Sequence, residues 1–445
     1  MPELIEKLRN IEITIPLSLK VRHSHPVLFS QIAKGAITTA GTIGMSRRVV
    51  ITSVGIFSSL GFSQEEIIDN LQGEKVTFDR PPFDDSLVIC PIKNFDIKHV
   101  IGPFKERRYL NRGAQFCVAS AMKAVENAGI NKELLEKTGL FIGVGPNLDI
   151  GGEFPEIRQE EIDRKDLMAL WILKFLPNTA ASAISKLAGI HGENLTVTTA
   201  CSASLQAIGE AFRKIKDGHL DLAIAGGGDS RLSHGGLLAY KKAQALFKGS
   251  LYPEKASSPF DSGRKGFVPG EGGACFLLEE LEHAKRRGGT IYGEICGFGS
   301  SIDGYNMTAP EPGAVWGEKA VRHALKEAEI SSGEIDLVSA HGTSTALNDA
   351  MEAGLIERIY SSHSPFVIAL KSWVGHISAA CGAVELAICL TCMQSDFLPK
   401  IRNLKEPCSR RINFIRKSGK YSIGTVMVEN FGFGGQNSAL IIKKV

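Results

Sequence analysis

Short β-branched runs alternate with helical patterns from residue 47 to the end of the 445-residue chain. Short apolar runs bounded by turn residues are typical of buried strands, and the segments between them have helical spacing. The predicted strands of the first part cover 47–56, 140–145, 195–199, 220–228 and 274–280. The predicted helices between them cover 63–72, 108–128 and 178–188. This alternation predicts βαβ units around a buried sheet, and therefore an α/β protein.

The same rhythm starts again at residue 290. The second set of predicted strands covers 290–300, 335–343, 366–370 and 421–435, with helices at 316–328 and 379–392. Two junctions correspond, because a strand leads through a tight turn into a helix at Cys201 and again at His376. An internal repeat of this kind predicts a duplicated fold, with halves at 45–290 and 291–445 and one site between them.

Composition limits the class of protein and the partners that this fold can have. The chain is 43% hydrophobic and 22% charged, with 47 glycines, as expected for a globular enzyme. A formal net charge of +3 gives no support to a nucleic-acid partner. The nine cysteines are scattered, without the spacing of a zinc site or disulfide framework, which favours a reducing cytoplasm.

The N-terminal segment 1–44 is predicted to be an extension of unknown role, and a mis-called start is the other explanation, since Met45-Ser46 resembles a second start. Its acidic residues Glu3, Glu6 and Glu12 are unlike those of an export signal. No uninterrupted run of 18 apolar residues occurs along the chain, which predicts the absence of a membrane span.

Cys201 stands where a strand pattern stops and a small-residue helix pattern begins, in VTTACSASLQ. Backbone dipoles and free N–H groups at a helix N-terminus favour a thiolate and lower its pKa from about 8.5. This position predicts a nucleophile. The alternative is a thiol that packs in the core, as cysteines in apolar segments often do.

Two histidines also follow predicted strands, His341 in SAHGTST and His376 in KSWVGHISAACGAVE. Ligands of α/β proteins bind at the carboxyl ends of strands, so both residues are candidates for catalysis. Each one alone could be a structural imidazole. Together with Cys201 they form a constellation that packing explains poorly.

The last candidate is the glycine turn around Phe433, in ENFGFGGQN. Glycines let the backbone approach another group closely and leave N–H groups free to point at it. This turn predicts an oxyanion hole. The alternative is a tightly packed turn without a chemical role.

Together these motifs resemble the β-ketoacyl-acyl carrier protein synthases of the elongating Cys-His-His type, from about Arg47 to Val445. The resemblance rests on RRVVITSVG, TTACSAS, SSPFDSGRKGFVPGEGG, EELEHAKRRG, GFGSSIDGYNMTAP, AHGTST, KSWVGH and NFGFGGQN. It implies a thiolase-like fold, in which two similar halves with two similar mixed β-sheets form five αβαβα layers. It also implies a dimer, either a homodimer or a heterodimer with a ketosynthase-like subunit.

The resemblance implies roles for the candidate residues. Cys201 matches the nucleophile that accepts the acyl chain as a thioester. The backbone N–H groups of Cys201 and Phe433 match the oxyanion hole, and the Phe433 side chain matches the gate between acyl pocket and malonyl site. His341 and His376 match the pair that assists malonyl decarboxylation and stabilises the enolate.

Supporting residues follow from the same resemblance. Lys371 and Glu385 match an ion pair behind the histidines. Thr343 and Thr345 match hydroxyls that hold the phosphopantetheine arm of acyl carrier protein. Loss of carbon dioxide drives the condensation, so the resemblance implies no metal and no other cofactor.

Lys105 and Arg108 match the surface that meets the acidic carrier protein. Gln244 stands where the family often has arginine, which changes the expected docking. Trp373 and Cys381 depart from the common fatty-acid pattern, and KSWVGHISAACGAVEL is more similar to synthases of discrete polyketide systems.

The resulting hypothesis is a discrete 3-oxoacyl-acyl carrier protein synthase that elongates a fatty acid or a polyketide chain. One alternative is a non-catalytic chain-length-factor subunit, which usually lacks the nucleophilic cysteine. A second is a thiolase acting on CoA thioesters, which Cys381 faintly suggests, although His376 is followed by Ile377 and not by proline. The sequence leaves the product and its chain length open.

Overall fold

The computed structural model of the chain describes residues 47–146, 169–249 and 252–445. The predicted extension at 1–44 lies outside these described residues. The strands are β1 (Val49–Phe57), β2 (Gly139–Val144), β3 (Asn194–Val197), β4 (Leu222–Ser230), β5 (Glu271–Glu280), β6 (Gly293–Ile302), β7 (Leu337–Ser339), β8 (Phe366–Ile368), β9 (Phe397–Leu398), β10 (Asn413–Phe414), β11 (Gly419–Lys420), β12 (Thr425–Gly432) and β13 (Gln436–Lys443).

Helices connect these strands throughout the described chain. The α-helices are α1 (Gln64–Gln72), α2 (Lys98–Ile101), α3 (Arg112–Ala128), α4 (Lys132–Lys137), α5 (Thr179–Ala188), α6 (Ala203–Lys216), α7 (His234–Lys242), α8 (Leu281–Arg286), α9 (Val315–Glu327), α10 (Ala346–Ile359), α11 (Lys371–Val374) and α12 (Cys381–Ser395). The strand and helix patterns of the sequence fall on these elements. Not predicted were strand β13, the short strands β9, β10 and β11, and helices α2, α4, α7, α8, α10 and α11. Helix α3 begins four residues later than predicted because Lys105–Tyr109 forms a 3-10 turn.

Ten of the thirteen strands in the described chain form two five-stranded sets with the same topology, while β10 pairs with β8 at the edge of the second set and β9 pairs with β11 separately. The first half orders its strands β3-β2-β4-β5-β1, and the second half orders them β8-β7-β12-β13-β6. In both sets the first two pairings are parallel and the last two are antiparallel. The predicted duplication is therefore confirmed. A short antiparallel pairing of Val49–Ile51 with Gly293–Ile295 joins the two mixed sheets into one.

Helices pack in three layers around the two sheets. Helices α3 and α5 cover the outer face of the first sheet, and α9 and α10 cover that of the second. Helices α6 and α12 lie between the sheets and contact each other. This is the predicted αβαβα arrangement, in which the middle layer is shielded from water on both sides.

The central position of α12 explains its composition. The segment Ser378–Ser395 is apolar enough to cross a membrane, with a mean hydropathy of 1.3, yet 89% of it is buried inside the protein. A helix that is apolar on all sides belongs either in a bilayer or in the core of a large protein. The structure places α12 in the core, between two sheets.

A close approach of backbone to backbone sets the position of α6. A Cβ atom at Gly143 of β2 would lie 2.2 Å from the backbone nitrogen of Ser204, near the start of α6. Only glycine permits this contact, because a real Cβ atom does not come that close to another heavy atom. Glycine at this position therefore lets the first turn of α6 rest directly on the sheet.

Candidate active site

Cys201 lies in a 3-10 turn, Ala200–Ser202, that leads from β3 into α6. Ala200 takes the left-handed conformation, with φ of 49°, and makes the sharp bend after the strand. The Ser202 hydroxyl lies 3.0 Å from the carbonyl oxygen of Asn430 and 2.7 Å from that of Gln436. These contacts tie the nucleophile turn of the first half to the β12-β13 hairpin of the second half.

His376 lies beside the Cys201 sulfur. The distance between Cys201 Sγ and His376 Nε2 is 3.4 Å. On the other side of the ring, Nδ1 accepts a hydrogen bond from the backbone N–H of Ser378 at 3.0 Å, and Cys381 Sγ lies 3.2 Å away. Because a backbone N–H can only donate, a neutral His376 carries its proton on Nε2, facing Cys201.

His341 also carries its proton on Nε2, but different donors hold its Nδ1 atom. Its Nδ1 atom lies 3.1 Å from Lys371 Nζ and 3.3 Å from Asn430 Nδ2, both of which are donors. Its Nε2 atom is buried and has no hydrogen-bond partner among the described residues. The rings of His341 and His376 lie 5.5 Å apart and nearly perpendicular. Both Nε2–H groups therefore face the space above Cys201.

The predicted ion pair is present behind His341. Lys371 Nζ lies 2.5 Å from Glu385 Oε1, and both side chains are almost completely buried. Asn430 Nδ2 donates to the other carboxylate oxygen at 2.8 Å. A buried ion pair of this kind contributes little net stability, but it holds its members in one arrangement. Here it fixes the ammonium that sets the tautomer of His341.

Sequence reasoning missed two residues that support His341. Asn430 contacts both His341 and Glu385 from β12. Glu352, on α10, accepts the backbone N–H groups of His341 and Gly342 at 2.6 and 2.8 Å. Its burial raises the pKa of the Glu352 carboxyl to about 8. The available signal for Asn430 was its place beside the glycine turn, whereas the segment that forms α10 has no clear apolar face that would single out Glu352.

Burial controls the protonation states of the cluster. Burial, followed by the positive charge of Lys371, lowers the pKa of both His341 and His376 well below the usual range, so both are neutral. Burial by itself lowers the pKa of Lys371, but the nearby Glu385 carboxylate outweighs it and the pKa is raised. The lysine is therefore the cation of the site.

The expectation of a lowered pKa for Cys201 was wrong. Burial of the thiol is the largest effect, and it raises the pKa of Cys201 to about 11 despite the Lys371 charge and the Phe433 N–H. Removal of water disfavours the thiolate more strongly than these two groups favour it. Cys201 is therefore a neutral thiol in the free protein.

The glycine turn places its backbone against Cys201. The Phe433 N–H lies within hydrogen-bond reach of the Cys201 sulfur. A Cβ atom at Gly432 would lie 3.0 Å from the Cys201 backbone nitrogen, so a larger residue would crowd this contact. The geometry brings the two N–H groups predicted for the oxyanion hole to the same place, while the Phe433 side chain is 38% exposed.

The remaining predicted residues lie outside this cluster. Thr343 and Thr345 share a hydrogen bond of 2.8 Å between their hydroxyls, and Thr345 also caps the N-terminus of α10. Lys105 and Arg108 are exposed on the 3-10 turn Lys105–Tyr109, apart from the catalytic cluster. Trp373 is fully buried and donates to the Lys400 carbonyl at 2.8 Å.

A reactive thiol and two neutral imidazoles at the junction of a duplicated, five-layered fold define a condensing enzyme of the thiolase-like class. The chain belongs to the β-ketoacyl synthase family. Residues 46–284 match the model of the beta-ketoacyl synthase N-terminal domain, and residues 292–405 match that of the C-terminal domain. Enzymes of this family are acyltransferases.

Individual relatives agree with this assignment. The 3-oxoacyl-[acyl-carrier-protein] synthase 2 of Coxiella burnetii is 35% identical over 418 residues, which is 90% of this chain and 99% of that protein. A beta-ketoacyl synthase from Burkholderia phymatum superposes with a TM-score of 0.82 at 30% identity, covering 90% of this chain and 100% of that chain. A type II polyketide ketosynthase in complex with its acyl-carrier protein and bound to the hexaketide superposes with a TM-score of 0.78 at 26% identity, covering 90% of this chain and 100% of that chain.

Proposed function

We propose that this 3-oxoacyl-acyl carrier protein synthase loads an acyl chain onto Cys201 and extends it with malonyl-acyl carrier protein. The catalytic roles of these residues are assigned from one observation, namely that their side chains surround the same space above the Cys201 sulfur. The reactive atoms of Cys201, His341 and His376 all lie within 4.8 Å of one another. One thioester can therefore contact all three.

The first half-reaction transfers the acyl group. The Cys201 sulfur attacks the carbonyl carbon of acyl-phosphopantetheine, and the carbonyl oxygen becomes an oxyanion held by the N–H groups of Cys201 and Phe433. The C–S bond to phosphopantetheine then breaks, and the proton lost by Cys201 is balanced by the thiol that leaves. Because the resting thiol is neutral, attack and proton loss must be coupled.

The second half-reaction forms the carbon–carbon bond. The Nε2–H groups of His341 and His376 donate to the thioester oxygen of malonyl-phosphopantetheine, which stabilises the enolate as carbon dioxide leaves. The enolate carbon attacks the acyl thioester, and the Cys201 sulfur departs and regains a proton. Lys371 supports this step by keeping the His341 proton on Nε2, where the enolate oxygen lies.

The proposed reaction uses no metal and no cofactor beyond the carrier's phosphopantetheine. Cys201, His341 and His376 are spaced closely enough to surround a metal ion. Metal binding would require both Nε2 atoms to lose their protons, yet both Nδ1 atoms are held by donors. The buried Lys371 ammonium also repels a cation.

The proposed partner at the surface is acyl carrier protein. Lys105 and Arg108 are exposed cations, and a carrier protein of acidic composition complements them. The related type II polyketide ketosynthase forms a complex with its acyl-carrier protein. We place the docking surface at this turn, with Thr343 and Thr345 beside the path of the phosphopantetheine arm.

A second copy or a similar subunit is the proposed partner at strand β3. This strand is the edge of the large sheet in the described chain, and Leu195 on it is 42% exposed. An unpaired edge with exposed apolar residues is suited to pairing with another chain.

We also place the enzyme in the cytoplasm, where reducing conditions keep its nine free cysteines, including the nucleophile, as thiols.

The two alternative functions fit the site less well. A non-catalytic chain-length-factor subunit does not need catalytic residues, whereas this chain has Cys201, His341 and His376 together in one site. A CoA thiolase needs a second cysteine that faces the substrate, whereas Cys381 lies on the Nδ1 side of His376, away from Cys201.

Intact-protein mass spectrometry tests the proposal. The wild type, incubated with acyl-loaded carrier protein, is expected to gain the mass of one acyl group. Cys201→Ala is expected to gain none, and Cys389→Ala, a buried cysteine in the middle of α12, should behave as the wild type. If no acyl group from any carrier reaches the wild-type chain, the protein is not the loading subunit.

A further inference from the structure

Two hydroxyl groups form a pair beside the catalytic cluster that the mechanism does not use. Tyr240 on α7 and Ser378, in the turn before α12, lie 2.6 Å apart through their oxygens. Among the described residues, neither side-chain hydroxyl has another hydrogen-bond partner. The pair holds two protons and uses only one between its members, so one O–H donor and several lone pairs are free.

The pair lies beside His376, and Tyr240 is close enough to Cys201 to interact with it electrostatically. The backbone N–H of Ser378 binds His376 Nδ1, whereas Cys201 lies next to Nε2. The Tyr240 ring packs edge-on against Phe267 at 5.1 Å, and Phe267 in turn lies 4.8 Å from the His376 ring. The hydroxyls are therefore near the reacting centre, but they are not part of the oxyanion hole.

A buried ion pair makes the same side of the site polar. Asp229 and Arg231, at the end of β4, lie 3.1 Å apart, and their side chains are only 6% and 5% exposed. Asp229 also accepts the backbone N–H of Ala379 at 3.0 Å, which fixes the turn that carries Ser378. Both charges are close enough to act electrostatically on Cys201 and on Tyr240.

A saturated acyl chain gains little binding free energy next to the Tyr240–Ser378 hydroxyls and the Asp229–Arg231 ion pair. Methylene groups placed against an unused O–H donor leave it without water and without an acceptor, which costs free energy. A chain with an oxygen at the matching position accepts that hydrogen bond. The thioester oxygen cannot be this acceptor, because it is held by the backbone N–H groups of Cys201 and Phe433.

We propose that the acyl chain held on Cys201 carries a second oxygen, a keto or hydroxyl group beyond the thioester, that binds the Tyr240–Ser378 hydroxyl pair. This inference rests on the proposed function and names its substrate class, an incompletely reduced acyl chain. Tyr240 and Ser378 are thus residues that determine specificity, and they take no part in bond breaking.

The test compares chains of one length on the same carrier protein. The carriers bear octanoyl, octa-2,4,6-trienoyl, or octanoyl with a keto group at carbon 3, 5 or 7. The measured quantity is the second-order rate of acyl transfer to Cys201, followed by intact mass. The wild type is expected to prefer at least one keto chain over octanoyl by about tenfold, as a single specific hydrogen bond provides.

Tyr240→Phe removes the hydroxyl and keeps the ring on Phe267. It is expected to lose that tenfold preference because transfer of the keto chain slows, whereas transfer of octanoyl should not slow. Tyr421→Phe is the matched control, because its hydroxyl contacts the Lys417 carbonyl at the surface. Ser378→Ala should resemble Tyr240→Phe, since either change breaks the pair.

Two kinds of result overturn the inference. If octanoyl or the triene is transferred as fast as every keto chain, or if Tyr240→Phe slows all chains equally, the pair only positions the His376 loop. If no chain is transferred while iodoacetamide still alkylates Cys201, the proposed function fails and the inference fails with it.

Discussion

The two halves of the molecule share one topology but carry different chemistry. In each half a 3-10 turn that begins with a left-handed residue, Ala200 with φ of 49° or Ser378 with φ of 51°, leads into a long central helix. Strand β3 ends shortly before Ala200, whereas helix α11 lies between β8 and Ser378. The residue after the left-handed position is Cys201 in the first half and Ala379 in the second. The same backbone position therefore carries the nucleophile in the first half and a methyl group in the second half.

The second half uses its turn differently. The N–H of Ser378 orients His376, and the N–H of Ala379 binds Asp229 of the first half. The second half also supplies His341, together with the lysine behind it. Duplication thus provides two equivalent scaffolds that face each other, and divergence puts the nucleophile on one and the hydrogen-bond donors on the other.

The strongest test of this division separates the two histidines. His376→Ala removes the Nε2–H donor that lies 3.4 Å from the sulfur, so the thiolate that develops during attack loses this hydrogen bond, and acyl transfer to Cys201 is expected to slow by about 10²–10³. His341→Ala is expected to leave that step within a few-fold and to slow malonyl decarboxylation by about 10²–10⁴. Acylation is followed by intact mass and decarboxylation by release of carbon dioxide.

The surface variant His219→Ala serves as the control and should match the wild type in both assays. If His341→Ala slowed acyl transfer as much as His376→Ala does, the two histidines would not divide the steps.

Removing the buried cation is expected to cost stability as well as activity. Lys371→Met leaves the Glu385 carboxylate buried without its partner, which destabilises the fold by about 3–5 kcal/mol. Lys137→Met breaks an exposed pair with Glu133 one turn away on α4, and it should change stability little. Urea unfolding of both variants measures the difference, and equal stability would contradict the burial of the Lys371 pair.

The pH dependence of alkylation tests whether burial or the helix N-terminus controls Cys201. A thiol with a raised pKa, here about 11, is protonated at neutral pH and gains thiolate as pH rises. The rate of iodoacetamide alkylation should therefore increase about tenfold per pH unit from about 7 to 10. Peptide mapping assigns the modified cysteine. A plateau below about pH 9 would show that the helix N-terminus outweighs burial.

The smallest effect is expected at the glycine turn. Phe433 carries the one bulky side chain among the glycines at 432, 434 and 435, and it is 38% exposed beside Cys201. If it is the gate, Phe433→Ala should change the relative transfer rates of short and long acyl chains several-fold. Phe83→Ala, with similar exposure of 41%, is the control. Unchanged transfer rate and unchanged chain preference would rule out the gate.

Local sequence patterns predicted part of the candidate active site. Strands end and helices begin where β-branched runs meet small residues and glycine, so the positions of Cys201, His341 and His376 follow from short segments of sequence. Asn430 was missed because it meets His341 from 89 residues away, across the second sheet. Glu352 was missed because α10 lacks a clear apolar face, since most of its residues are buried.

The sequence by itself determined the alternation of strands and helices, the repeat and the three reactive residues, because each depends on neighbours within one element or on a recognisable motif. Tertiary structure decided the protonation states and the tautomers. The pKa of Cys201 is raised by burial, which no local pattern encodes, and the Nε2–H of His341 depends on Lys371 from helix α11. Electrostatics in a protein interior depends on the water excluded and the charges assembled there, and both exist only once the two halves have packed together.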